Sequence, residues 1–412
     1  MLKKISVDQL RLGMHLKEFC GSWMEHPFWR SAFVLTDPKD IAAILASSIK
    51  EVWIDTAKGI DVPTGEPTVS EAESEEQVEA ELQRAVEARR EIAPVATAVE
   101  MQRAAKICQQ SKQAVISMFE EARMGKAVDT GGARKLVEEI SDSVARNPSA
   151  LISLARLKTV DDYTYMHSVA VCAMMVGLAK QVGLDEEQTR LAGMAGLLHD
   201  LGKALMPMDV LNKPGKLTDA EFKIIKTHPV EGHRMLLTGK DVHPLVLDVC
   251  LHHHEKTDGS GYPKGFKDKQ ISLFAKMGAV CDVYDAITSN RPYKAGWDPA
   301  ESLRKMAEWC NGHFDPQIFQ GFVKSLGIYP IGSLVKLTSG RLGVVTSQTG
   351  KSLTTPMVKV FFSTKSNMRI TPETIDLSKP GVTEKIVNRE DPAKWRFADL
   401  NELWSGQSKP VW

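Results

Sequence analysis

The 412-residue chain lacks any apolar run long enough to cross a membrane: the longest, Val169 to Ala179, falls far below the roughly 20 residues a spanning helix needs. No N-terminal stretch combines the charged and apolar regions of a signal peptide, so a cytoplasmic protein with no membrane association is expected. Net charge is missing as well. Lys and Arg together number 52 and so do Asp and Glu, which leaves no global field for a polyanion and excludes bulk nucleic-acid binding. Any phosphate recognition must therefore be local. The six cysteines, at 20, 108, 172, 250, 281 and 310, show no CxxC spacing, and four sit in apolar helical contexts, so buried reduced thiols are expected. What remains is ordinary globular usage, 43% hydrophobic and 25% charged, over a length that exceeds what one core organises. Two or three domains are expected.

Residues 1 to 64 alternate short strand-like runs with a helix-like stretch near Asp40 to Ser48, punctuated by Asp37-Pro38, and predict a small α+β domain. From 65 to 93, Glu66, Glu71, Glu73, Glu75, Glu76, Glu79 and Glu81 with almost no bulky apolar residue have the composition of a solvated linker. After Pro94, Met101, Ala104, Ala105, Cys108, Val115, Met118, Phe119 and Ala122 recur at three- and four-residue spacing, an amphipathic helix expected to pack on the next domain. Connecting helices fill 94 to 150. Asp161-Asp162 suits the cap of a helix through His167 towards Gln181, Asp185-Glu186-Glu187 starts another ending at His199-Asp200, and Thr218 with Glu221 makes a capping box for a helix reaching His228. Helices run through 151 to 328. From 329 to 412, Val335-Lys336-Leu337, Gly343-Val344-Val345 and Val358 to Phe362 predict a short C-terminal β appendage.

Histidine is sparse, eleven in all, yet most fall between His167 and His254, on segments that read as separate helices. In Leu197-Leu198-His199-Asp200-Leu201-Gly202-Lys203 two metal-ligand side chains stand side by side in an apolar helical segment. A buried carboxylate is costly unless a cation or hydrogen bonds compensate it, and an adjacent imidazole points to a divalent metal. Helices that project His and carboxylate groups inward are the usual way a bundle builds a dinuclear centre.

His199-Asp200-Leu201-Gly202-Lys203, His253-His254-Glu255, Asp258-Gly259-Ser260-Gly261-Tyr262-Pro263 and Arg291-Pro292-Tyr293-Lys294 closely resemble the HD-GYP signature over roughly 155 to 325. The resemblance implies a mainly α protein built on an all-helical HD-type metal phosphohydrolase domain, a phosphodiesterase that hydrolyses the bacterial second messenger cyclic di-GMP to pGpG or onward to GMP. The N-terminal segment resembles the domain of unknown function that often precedes such domains, through Val7-Asp8-Gln9-Leu10, Leu12-Gly13-Met14, His26-Pro27-Phe28 and Val52-Trp53-Ile54-Asp55. A regulatory role, and any signalling-protein partner, would lie there.

By this resemblance His167, His199 and Asp282 hold one metal and His228, His253 and His254 the other, with Asp200 bridging. Two metals a few ångström apart lower the pKa of a bridging water and neutralise phosphoryl charge, and imidazoles with few carboxylates suit two ions of iron or manganese. Lys203 would contact the scissile phosphate or protonate the leaving 3′-oxygen, unless it is a surface lysine capping a helix end. Arg291 and Lys294 would clamp the phosphates. Tyr262 would stack on guanine, donate from its hydroxyl, or anchor its loop. His15, His26, His233, His243, His252 and His313 are expected to be non-ligands. Some family members carry a glutamate ligand to a third metal one helical turn before the first histidine. Tyr163 stands there, which favours a binuclear centre and pGpG as the product. A phosphohydrolase for another nucleotide is the alternative within enzymes. A non-catalytic cyclic-dinucleotide receptor is the alternative outside them, weakened because every predicted ligand is present.

Overall fold

The computed structural model describes the chain apart from residues 21–31, 48, 64, 78–79, 81–96, 158–162, 214, 240, 291–295, 311, 350–351 and 407–412, and the side chains of 98 and 163. It divides into two compact units, Met1–Gln83 with Met306–His313, and Arg84–Lys305 with Phe314–Trp412.

In the first unit β1 (Leu2–Ser6), β2 (His15–Cys20), β3 (Phe33–Val34), β4 (Glu51–Asp55) and β5 (Val69–Ser70) form one antiparallel sheet in the order β3-β2-β4-β1-β5. Helix α1 (Pro38–Leu45) starts at the expected break, because Asp37 accepts the Lys39 N–H and Pro38 has the φ of a first turn. Ile44 of α1 joins Met14, Leu16, Leu35, Val52 and Ile54 in the core. The acidic stretch expected to be a linker is structured at its start: Val69 and Ser70 pair with Lys4 and Lys3, and residues 71–77 are helical. Its glutamates at 71, 73, 75 and 76 are exposed, so their density marked a solvated surface, and glutamate is itself a good helix former.

The second unit holds a helical part, whose helices include α2 (Thr97–Arg123), α3 (Thr130–Arg146), α4 (Pro148–Ala155), α5 (Tyr163–Gln181), α6 (Glu186–Leu198), α7 (Asp219–Ile225), α8 (His228–Leu237), α9 (Pro244–His252), α10 (Leu273–Thr288), the start of α11 (Pro299–Trp309) and α12 (Pro316–Leu326). Helix α5 is its axis. Val169 to Ala179 are buried on every side, against α2, α3, α4, α6, α10 and α12, which is how the chain's longest apolar run is used. The apolar stripe of α2 is buried as its spacing predicts, with Phe119 edge-on to Tyr165 at 5.5 Å. Asp161 and Asp162 lie outside the described residues. Among the described residues no helix is long and apolar enough to cross a membrane. The cysteines are thiols outside any disulfide, buried except for the half-buried Cys20.

One helix is shorter than expected. Thr218 and Glu221 form their capping box, but α7 stops at Ile225 and His228 opens a new helix. Pro229 explains the break: it lacks an N–H and fits only a first turn. The new axis turns His228 inward, where it is 1% exposed. C-terminal to the helices, β6 (Leu334–Leu337), β7 (Arg341–Ser347), β8 (Met357–Ser363), β9 (Met368–Asp376) and β10 (Ile386–Arg389) form a second antiparallel sheet, in the order β10-β6-β7-β8-β9, around Val335, Leu337, Val345, Val358 and Val360.

Two close approaches set the helices at metal-site distance. At Gly196 a Cβ would lie 2.9 Å from the Val171 carbonyl, so α6 presses backbone to backbone on α5. At Gly202 it would lie 1.9 Å from the His228 carbonyl and 2.5 Å from the Gly232 nitrogen, so the 3₁₀ segment Leu201–Leu205 abuts α8 with no room for a side chain. Gly202→Ala is therefore predicted to push that segment off α8, costing about 1–3 kcal/mol or more, with loss of bound metal. Denaturant titration and metal analysis check this, and wild-type values in both would show that the contact is dispensable.

Candidate metal centre

His167 sits in the opening turns of α5, His199 ends α6 with Asp200 next to it, His228 opens α8, His253 and His254 follow α9, and Asp282 lies within α10. Their side chains converge. His167, His199 and Asp282 offer ligand atoms within 4.8 Å of one another, and so do Asp200, His228, His253 and His254. Asp200, fully buried, faces both groups. Its Oδ2 is 3.4 Å from His167 Nε2 and 3.3 Å from His199 Nε2, while Oδ1 is 3.1 Å from His228 Nε2 and 3.8 Å from His253 Nε2. Asp282 places Oδ1 2.9 Å from His167 Nε2 and Oδ2 3.6 Å from His254 Nδ1.

The outward ring nitrogens explain this orientation. Nδ1–H of His199 donates to the Gly196 carbonyl at 2.8 Å, that of His228 to Ile225 at 2.7 Å, and that of His253 to Val249 and Cys250 at 3.0 Å. His167 Nδ1 meets the Asp285 carboxylate at 2.6 Å. Each contact fixes a tautomer and leaves Nε2 with its lone pair directed inward.

Charge at the centre is strongly perturbed. Burial works against a charged His167, but Asp200, Asp282 and Asp285 outweigh it and raise its pKa to about 10. Burial likewise opposes ionisation of Asp200, yet Lys203 and His199 hold it well below the usual carboxylate range. At His253 burial dominates, joined by the neighbouring His199 and His228, and the pKa falls to about 3. Burial also lowers His228 and His254. Among the described residues His199 Nε2 and Asp200 Oδ1 are buried without a hydrogen-bond partner. Polar atoms are rarely left so, and an N-rich donor set with two carboxylates fits a divalent transition metal.

Residues 2–133 match the domain of unknown function DUF3391, and residues 138–318 match the HD domain family HD_5. The cyclic di-GMP phosphodiesterase PA4108 of Pseudomonas aeruginosa is 56% identical over 410 residues, 99% of this chain and 97% of that protein. This chain belongs to the HD-GYP family. Its HD-GYP region also resembles two longer-range relatives. The cyclic di-GMP phosphodiesterase response regulator RpfG of Xanthomonas campestris is 36% identical over 46% of this chain and 51% of its own length. The 3′3′-cGAMP-specific phosphodiesterase 1 of Vibrio cholerae is 35% identical over 40% of this chain and 38% of its own length.

In this HD-GYP centre Lys203, on the 3₁₀ segment, contacts Asp200 Oδ2. Tyr262 stacks on His254 with ring centroids 4.7 Å apart and donates its backbone N–H to the His254 carbonyl, the contacts of a loop anchor. Arg291 and Lys294 lie outside the described residues, as does His26. His252 turns away and bonds Asp248 at 2.8 Å, and His243 caps α9.

Two residues gained no role from sequence reasoning. Asp285 stands one turn after Asp282, a spacing that puts both on one face of α10, so its contact with His167 was open to inference. Glu255, 2% exposed, accepts the backbone N–H groups of Lys264 and Phe266 at 2.7 and 2.9 Å and so holds the loop carrying Tyr262. No local sequence signal marks those long-range backbone partners. Asp285→Asn keeps an acceptor for His167 but removes its charge, and metal affinity is predicted to fall about 10- to 100-fold. Competition with a chelator of known affinity measures it, and an unchanged affinity would show that Asp285 does not support the ligand.

Proposed function

We propose that this chain is a metal-dependent phosphodiesterase that hydrolyses cyclic di-GMP to pGpG, lowering the second messenger in bacterial signalling. The observation that carries the proposal is the Asp200 carboxylate, buried between two histidine-rich groups with one oxygen towards each. His167, His199 and Asp282 would hold one ion, His228, His253 and His254 a second, and Asp200 would be shared, since only a carboxylate has two oxygens to give. The imidazole-rich set favours iron or manganese over calcium or magnesium. Two such ions supply charge neutralisation and activation of water for attack on the phosphodiester.

The chain's own residues do the rest. Lys203, held against Asp200, would contact the scissile phosphate and give a proton to the leaving 3′-oxygen. Arg291 and Lys294 are assigned to the phosphates on the HD-GYP pattern, Arg291 through its bidentate geometry. Tyr163 in place of a third-metal glutamate supports a binuclear centre that stops at pGpG. The N-terminal sheet is assigned to regulation, because both donor groups are built from residues between His167 and Asp282.

Anaerobically purified protein should contain two ions per chain and convert cyclic di-GMP to pGpG faster than it cleaves 3′3′-cGAMP, the substrate named for the Vibrio cholerae relative. Asp200→Ala should lose both ions and fall to background turnover. If that variant kept two ions and normal hydrolysis, the sharing of Asp200 would be wrong. Preference for 3′3′-cGAMP would overturn the choice of substrate while leaving the phosphodiesterase intact.

A further inference from the structure

Lys226 ends α7, two residues before His228, and is half-buried. Its ammonium lies 4.6 Å from the centre of the Phe222 ring and 5.1 Å from that of Tyr262, whose own ring stacks on His254 at 4.7 Å. From the donor group outward the order is therefore imidazole, phenol, ammonium. Among the described residues Lys226 has no carboxylate partner. Lys213 shows the contrast, since it is matched to Glu221 at 2.6 Å. A cation over two aromatic rings is held in place by their quadrupoles but keeps its full charge, and its hydrogen-bond donors are not used by the rings.

A cyclic dinucleotide carries two phosphodiesters in one ring. While one is being cleaved at the His/Asp centre, the other stays anionic and has to lie beyond the first ligands. The chain is neutral overall, so only fixed local cations can meet that second charge. We propose that Lys226 binds the phosphodiester that is not being cleaved, and so selects cyclic dinucleotides over diesters with a single phosphate. This deepens the phosphodiesterase assignment and rests on it. The loop tyrosine serves as the spacer that sets the distance from His254 to the ammonium.

The test uses the full chain with its metals, comparing Lys226→Met, which keeps the aliphatic stem, with Lys226→Arg, which keeps the charge. For the Met variant the KM for cyclic di-GMP should rise about 10- to 100-fold, as expected for loss of one hydrogen bond to a charged group, with kcat and metal content near wild type. The ratio of kcat/KM between cyclic di-GMP and bis(para-nitrophenyl) phosphate should drop by the same factor, and Arg should restore most of it. Lys226→Gln gives the same readout if the Met variant is insoluble. An unchanged ratio, or equal loss on both substrates, overturns the proposal, because Lys226 would then only support the loop. If the wild type prefers 3′3′-cGAMP, the guanine assignment fails while the same shift in ratio on that substrate still supports Lys226. If it cleaves the single-phosphate diester and neither cyclic dinucleotide, both proposals fall.

Discussion

The buried carboxylate of Asp200 is the constraint around which the helical unit is arranged. A negative charge taken out of water costs several kcal/mol unless cations or hydrogen bonds surround it. Here the compensation comes from His199 and Lys203, near neighbours of Asp200 in the chain, and from His167 and His228, carried on other segments well away from it in sequence. Those segments can meet at one oxygen pair only if their backbones approach more closely than side chains normally permit. Gly196 against α5 and Gly202 against α8 supply that approach, so the packing of the domain and the geometry of its centre have one cause.

Helix ends solve a second problem. The last carbonyls of a helix have no partner within it, and the helix dipole makes that end negative. Gly196, Ile225 and Cys250 are such carbonyls, in the last turns of α6, α7 and α9, and each receives an imidazole Nδ1–H from His199, His228 or His253, the last shared with Val249, which also accepts the His253 backbone N–H. One contact thus satisfies the backbone, orients the ring and places a negative dipole end behind a group that donates to a cation. His167 lies near the start of α5, away from that helix's negative end, and there Asp285 takes the carbonyl's place. The odd histidine needs the extra carboxylate.

Much of this was legible in the chain itself. The HD-GYP resemblance named the seven His and Asp residues whose side chains the structure brings together, and the stripe of α2 and the apolar run of α5 followed from their spacing. The helical start of the acidic stretch was not legible, since glutamate favours both solvation and helix. The break before His228 was signalled by Pro229, but a good capping box at Thr218 drew attention to where a helix begins rather than where it must end. Glu255 and Lys226 were hidden for a different reason: their partners are backbone N–H groups or ring faces, which carry no residue-type code.

The residues proposed to meet an anionic substrate are held by contacts made outside the set of proposed metal ligands. The 3₁₀ segment bearing Lys203 is fixed at its far end, where Arg123, the last residue of α2, donates Nε–H to the Ala204 carbonyl at 3.0 Å. On the other side, Glu255 fastens the loop that carries Tyr262, and Tyr262 seats Lys226. Because the protein has no net charge to draw a phosphate in from a distance, discrimination on the proposed reading would rest on the spacing of such cations, and that spacing is only as well defined as the backbone holding them. Helix α2 therefore contributes to the centre although it donates no ligand: its apolar stripe is locked into the core, and its final side chain fixes the segment that carries Lys203.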